Sequence, residues 1–205
     1  MAFLLFNPDP RAALLIGLGG GSLAKYFYHR LPLTRTVAVE VNPRVIAVAR
    51  QFFHVPPDDE RLRIIIGDAA AHLKNDLQRV DVIMLDGYDS EAQVEELSTL
   101  SFYRDCARVL GDAGILVVNL WGGDRNFTAC VQRLSNAFNH RVACMPAGKP
   151  GNVVALAFRQ SPGRPRWEEL RRRAQSLEAA FGLEFTEFVA ELAAMNTLDK
   201  DGLLL

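Results

Sequence analysis

Short, mostly apolar runs alternate along this chain with longer stretches whose apolar residues recur at helical spacing. The runs predict buried strands and the stretches predict helices. Ala12 to Ile16 is the first such run, and it enters the loop Gly17-Leu18-Gly19-Gly20-Gly21. Ser22 to Leu31 reads as a helix stopped by Pro32, and Thr36 to Val41 as the second strand. Asn42 as N-cap and Pro43 in the first turn open a helix to about Phe53. His54 to Glu60 carries two prolines and is loop. Leu62 to Ile66 is the third strand, and a short helix follows it to about Leu77. Val80 to Leu85 is the fourth strand, and Gly87 to Thr99 is a polar loop or short helix over its end.

Leu100 to Leu110 reads as a helix stopping near Gly111, and Ile115 to Leu120 as the fifth strand. After Gly122 and Gly123, Asn126 to Phe138 is helical. Arg141 to Met145 and Val153 to Phe158 are joined by a short turn, which predicts an antiparallel pair. Beyond the linker Ser161 to Pro165, Trp167, Leu170, Ala174, Leu177 and Phe181 keep helical spacing up to Gly182, and Phe185 to Leu192 marks a further helix. Arg171, Arg172 and Arg173 read as a solvated helix face. Phe102, Tyr103, Trp121, Phe127 and Phe158 read as core before pocket wall. Strands alternating with helices predict an α/β fold: a doubly wound, mostly parallel seven-stranded sheet, Rossmann-like, with C-terminal helices. Residues 1–160 form the main domain in this reading, and residues 161–205 a helical extension packed on it.

Ligands of such sheets sit at the carboxyl ends of the strands. Gly19, Glu40, Asp68 and Asp86 all fall at such ends. Glycines let backbone N–H groups approach a ligand, and the helix that follows turns its positive end toward it. An acid after the second strand can accept from ribose hydroxyls. Each acid also has a plainer use: Glu40 and Asp68 as helix caps, Asp86 and Asp89 as loop acids.

Composition narrows the field. The 205 residues carry a net charge of −1, 49% hydrophobic residues and 23% charged ones, which favours a packed core over disorder and gives no footing for general nucleic-acid binding. Cys106, Cys130 and Cys144 form no C-x-x-C and read as reduced thiols in a core, which points to the cytoplasm. No signal-peptide pattern or membrane-length apolar run is present. Phe3 to Phe6 need a surface to cover, which predicts a longer N-terminal region ahead of them. Ser22 stands where the third glycine of a dinucleotide fingerprint belongs; a phosphate-binding P-loop and a G-x-S-x-G elbow are both missing. His29, His54, His72 and His140 lack metal-ligand spacing, so no metal is expected.

Five segments taken together resemble the spermidine synthase family of aminopropyltransferases. They are IGLGGGSLAK (Ile16 to Lys25), VEVNP (Val39 to Pro43), RIIIGDA (Arg63 to Ala69), VDVIMLDGYD (Val80 to Asp89) and SFYRDCARVLGDAGILVVNL (Ser101 to Leu120). The resemblance implies the class I S-adenosylmethionine-dependent methyltransferase fold. It also implies that Gly17, Gly19, Gly20, Gly21 and Ser22 wrap the methionine-derived arm of the co-substrate. Glu40 would hold the ribose, Asp68 with Ala69 would face the adenine, and Val41 belongs to the cofactor-binding set. Asp86 is then the catalytic proton acceptor, and Asp89, with Tyr88 beside it, holds the amine. The family carries an acid where Ser22 stands, and a proline where Ser90 follows Asp89. Its N-terminal β-rich domain has no counterpart in this sequence.

The expected activity is transfer of an aminopropyl group from decarboxylated S-adenosylmethionine to a small amine, by a homodimer. An amine with a pKa near ~10 is protonated at neutral pH, so a carboxylate must bind it and take its proton. Two alternatives remain. One is a methyltransferase using S-adenosylmethionine itself, which Ser22 would tolerate; the other is a non-catalytic nucleoside-binding interaction domain.

Overall fold

The computed structural model describes residues 1–75, 78–86, 95–147, 151–196, 198–199 and 201–205. Strands β1 (Ala12–Ile16), β2 (Arg35–Glu40), β3 (Leu62–Ile66), β4 (Val80–Leu85), β5 (Leu110–Trp121), β6 (Val142–Pro146) and β7 (Asn152–Phe158) form one 7-stranded sheet, ordered β3-β2-β1-β4-β5-β7-β6. The first five run parallel, and β7 is antiparallel to both β5 and β6. Helices α1 (Ser22–Arg30), α2 (Pro43–Phe53), α3 (Ala69–Asn75), α4 (Leu100–Val109), α5 (Phe127–Ala137), α6 (Trp167–Phe181) and α7 (Phe185–Met195) cover its two faces. Among the described residues no helix is long and apolar enough to cross a membrane.

Alternation along the strands divides the core into two layers. Leu15, Ala38, Met84 and Val117 face α1, α2, α6 and α7. Leu14, Val39, Ile83 and Leu116 face α3, α4 and α5. The chain winds from β1 out to β3, then returns to place β4 on the other side of β1. Strand order therefore reverses between β1 and β4, the crevice where open α/β sheets bind ligands.

Local chemistry sets the element ends. Asn42 Oδ1 accepts from the Arg44 N–H at 3.0 Å, with Pro43 at the first helical position, and starts α2. Gly182 closes α6 in the left-handed region, at φ 67°. The outer edge of β6 is blocked by one side chain. Asn196 accepts from the Cys144 N–H at 2.8 Å and donates to the Cys144 carbonyl at 2.5 Å, standing in for a missing strand.

The apolar start finds its cover within the chain. Residues Ala2–Leu5 form a 3-10 turn against α6 and α7, with Phe3 stacked on Phe27. Arg173 donates to the Leu5 carbonyl and pairs with Glu169. It therefore leaves the solvated face expected of the arginine run, whereas Arg171 and Arg172 stay exposed. Strand β5 begins at Leu110, five residues before the expected Ile115, because Leu110 pairs with Val80 and the register then slips before Val82. A small antiparallel pair, β8 (Leu198–Asp199) and β9 (Gly202–Leu203), lies outside the sequence-based expectation. All three cysteines are unpaired, and burial pushes the Cys106 thiol far above its ordinary range.

Asp59 ties the loop before β3 to α1. It accepts from the Tyr28 hydroxyl at 2.7 Å and from the N–H groups of Leu62 and Arg61 at 2.8 Å. The Tyr28 hydrogen bond, then the two backbone N–H groups, hold its carboxyl below the ordinary value. A carboxyl depressed in the folded state stabilises above its unfolded pKa and loses that contribution as pH falls through the folded one. Asp59→Asn is therefore expected to flatten the acid limb of stability against pH, read by urea denaturation between pH 7 and 3. An unchanged acid limb refutes the assignment.

Candidate functional site

Strand register carries three side chains and one glycine to one level at the carboxyl rim. Ile16 pairs with Val39 and with Leu85, and Leu85 pairs with Val118, so the next residues, Glu40, Gly17, Asp86 and Asn119, stand side by side on β2, β1, β4 and β5. The ladder bonds Gly17 N–H to Val39 O (3.0 Å) and Asp86 N–H to Ile16 O (3.1 Å) extend the sheet to this row. All four positions face the α1 side, two residues beyond Ala38, Leu15, Met84 and Val117. With strands ~4.8 Å apart, the Cα atoms of Glu40 and Asp86 lie about 10 Å from each other across the Gly17 gap.

The glycine loop opens that gap. Gly17 and Gly19 have φ of 89° and 52°, left-handed values that glycine adopts without penalty. Gly21 has φ 71°, and a Cβ there would stand 2.1 Å from Val55 Cγ2. Gly20 abuts the Phe53 ring, and Ser22 opens α1, exposed to solvent. Gly20, Gly21 and Ser22 are outside the lining of the cleft at this rim. Gly21→Ala combines backbone strain with a clash and is expected to cost about 1–3 kcal/mol, read as a lowered denaturation midpoint.

A cleft of about 510 Å³ occupies the rim, lined by Gly17, Gly19, Glu40, Val41, Asp68, Ala69 and Asp86 of the sequence-derived set. Asn42, Val45, Glu96 and Leu97 join its lining. Tyr88 and Asp89 lie outside the described residues. Four carboxylates line the cleft, and its described lining has no lysine, arginine or histidine, so it favours cations. Another hollow, about 250 Å³ at the opposite pole of the strands, is rimmed by Arg35, Arg63 and Arg79 and contains none of the sequence-derived residues.

The acids already do structural work. Glu40 Oε2 accepts from the Leu18 N–H at 3.0 Å and Oε1 from the Asn42 N–H at 2.9 Å, joining the glycine loop to the start of α2. Asp68 Oδ1 accepts from the Ala71 N–H at 2.7 Å and caps α3. Asp86 Oδ1 accepts from Asn119 Nδ2 at 3.0 Å. Each carboxylate keeps lone pairs for a ligand beyond these bonds. Sequence reasoning missed Asn119, although one asparagine within the apolar run Ile115 to Leu120 is a visible signal. Val41, beyond the end of β2, is 69% exposed and, with Leu97, gives the cleft apolar lining. Among the described residues no group of His, Cys, Asp and Glu is arranged to hold a metal.

Sheet order, reversal point and rim cleft define a class I methyltransferase-like fold. A human methyltransferase-like protein 13 in complex with SAH superposes with a TM-score of 0.77 at 24% identity, covering 89% of this chain and 86% of that one. A spermidine synthase in complex with the transition state analogue AdoDATO superposes at 0.74 and 23%, covering 94% and 69%. These likenesses fix the fold. The spermine/spermidine synthase domain family matches residues 2–146. The polyamine aminopropyltransferase of Chromobacterium violaceum is 45% identical over 205 residues, covering 100% of this chain and 78% of that protein. That of Neisseria meningitidis serogroup A is 41% identical, covering 96% and 75%. The chain belongs to the spermine/spermidine synthase family and is a transferase.

Proposed function

We propose that this chain transfers the aminopropyl group of decarboxylated S-adenosylmethionine to a small amine, with Asp86 as the base. The row Glu40–Gly17–Asp86 across the strand reversal carries this reading. Glu40 accepts from the ribose hydroxyls, and Asp68 and Ala69 meet the adenine edge between Val41 and Leu97. Gly17 and Gly19, with Gly20, Gly21 and Ser22 supporting them, shape the space for the cationic arm; Tyr88 and Asp89 complete the amine site.

Asp86 binds the acceptor as its ammonium and takes one proton. The nitrogen lone pair then attacks the carbon bonded to sulfur. A C–N bond forms, the C–S bond breaks, and its electron pair neutralises the sulfonium as methylthioadenosine. The product nitrogen stays protonated as a secondary ammonium, and the proton held by Asp86 leaves to solvent. The reading extends to a catalytic unit of residues 1–160, a helical extension of 161–205, and a cytoplasmic homodimer. Unpaired cysteines agree with a reducing compartment, and sedimentation tests the dimer.

The deciding experiment offers decarboxylated S-adenosylmethionine and a panel of di- and polyamines, and measures methylthioadenosine. Release that depends on an amine is expected. None, with methylthioadenosine binding intact, overturns the reading. Ser22 favours a second reading, methyl transfer, because an uncharged residue at the start of α1 leaves backbone N–H groups open to the carboxylate of S-adenosylmethionine. Calorimetry with both compounds separates the two, since the aminopropyl reading requires tighter binding of the decarboxylated form.

A further inference from the structure

We propose that the hollow at the amino ends of the strands binds a small organic phosphate, with the phosphate held by Arg35 and Arg63 and the apolar body seated on the sheet. The site lies at the pole away from the rim cleft and does not rest on the aminopropyl-transfer reading. The hollow encloses about 250 Å³, room for a compact molecule and not for a polymer.

Alternation along β2 and β3 sends both arginines to one face. Arg35 stands two residues before Val37 and Arg63 two before Ile65, and Val37 and Ile65 pack on the α3 and α4 side of the sheet. Val37 pairs with Arg63 across the two strands. Arg35 is therefore one strand across and two residues along from Arg63, with their Cα atoms about 8 Å apart. A phosphate between them is within reach of both long side chains, and each guanidinium offers it a fork of donors.

The neighbouring arginines of this pole are already engaged. Arg79 Nη1 donates to the Leu110 carbonyl at 2.9 Å and Arg108 Nη2 to the Leu73 carbonyl at 2.6 Å, so they serve the carboxyl ends of α4 and α3. Arg61 Nη1 donates to the Tyr28 carbonyl at 2.8 Å, and its guanidinium lies 4.1 Å from the Tyr28 ring centroid. Arg35 and Arg63 are exposed and make no hydrogen bond or ion pair among the described residues. Two like charges on adjacent strands repel each other, and a dianion between them replaces that repulsion with attraction. The lining sets four arginines against two acids, and one of these, Asp59, is held by the Tyr28 hydroxyl and two backbone N–H groups.

The floor is apolar and partly open. Ala12, Val37 and Val80 are half-buried there, whereas Val39 and Ile83, farther along β2 and β4 on the same face, are closed to solvent. Ala12, paired with Arg35, contributes only a methyl group, which leaves depth beside the guanidinium. Inorganic phosphate meets the charged rim and leaves this floor wet; a phosphate ester covers both.

The test is calorimetry on the full chain at pH 7.5 and low ionic strength, with phenyl phosphate and inorganic phosphate as probes. One equivalent of phenyl phosphate is expected to bind, about tenfold or more tightly than inorganic phosphate. Arg35→Gln and Arg63→Gln are each expected to weaken it about tenfold. Arg171→Gln, which removes an exposed arginine of α6, leaves its affinity as in wild type, and urea denaturation checks that all three variants fold. Equal affinity for the two probes, equal losses in all three variants, or no binding overturns the inference. Displacement of phenyl phosphate by methylthioadenosine places the ester in the rim cleft and overturns it as well.

Discussion

Asp86→Asn is expected to lower the rate of aminopropyl transfer by about 10²–10⁴-fold while methylthioadenosine still binds. The substitution is nearly isosteric, and its amide oxygen still accepts from Asn119 Nδ2, so the 3.0 Å bond that orients the side chain survives. What disappears is the negative charge and the proton acceptor. Wild-type Asp86 collects the acceptor in its abundant cationic form; the variant must wait for the rare neutral form. With an amine pKa of about 10, that form is on the order of one part in a thousand at pH 7. The variant therefore gains rate as pH rises, and its deficit against wild type narrows toward pH 10. Turnover assays from pH 6.5 to 9.5 check both statements. A variant as fast as wild type at neutral pH places the base elsewhere.

The residues that made this site readable are those whose structure is decided locally. β1 and β4 are apolar runs cut off by a glycine and an acid, and the structure ends them at Ile16 and Leu85 as expected. Asn42 and Pro43 start α2 by chemistry contained within three residues. Because parallel pairing then brings strand ends to one rim, local boundaries were enough to assemble Gly17, Glu40, Asp68 and Asp86. What was not legible depends on distant partners. Leu110 joins β5 only because Val80 lies alongside, and Phe3 is buried only because α6 and α7 return over it. Trp121 looks like core by composition; its exposure follows from ending a strand against Gly123 and Gly151.

The plainer readings of the acids and the functional ones turn out to be compatible, which changes what mutation can prove. Asp68 caps α3 and also lines the cleft. Asp86 is held by Asn119 and faces the same space. A structural bond fixes the rotamer of each acid, and a fixed carboxylate loses less entropy when a ligand arrives. Loss of activity alone therefore does not separate the two uses; stability and binding have to be read together.

Glu40→Gln is the sharpest case. Both Glu40 oxygens accept backbone N–H groups, from Leu18 and from Asn42. Glutamine keeps one acceptor and sets an NH₂ donor against the other N–H, so one backbone donor loses its partner and the glycine loop is pushed from its seat. Hydrogen bonds to a charged acceptor contribute about 1.5–3 kcal/mol each, so a measurable fall in stability is expected. Ribose recognition suffers further, since the hydroxyls lose a charged acceptor and the loop that frames Gly17 and Gly19 shifts. Affinity for methylthioadenosine is expected to fall at least ~100-fold by calorimetry, a loss of about 2.7 kcal/mol. A variant unstable to urea yet binding the nucleoside as tightly as wild type restricts Glu40 to tying the loop to α2. A variant weak in binding with unchanged stability leaves the ribose as its only partner of consequence. Both losses together, the expected outcome, make one carboxylate serve the loop and the ligand at once.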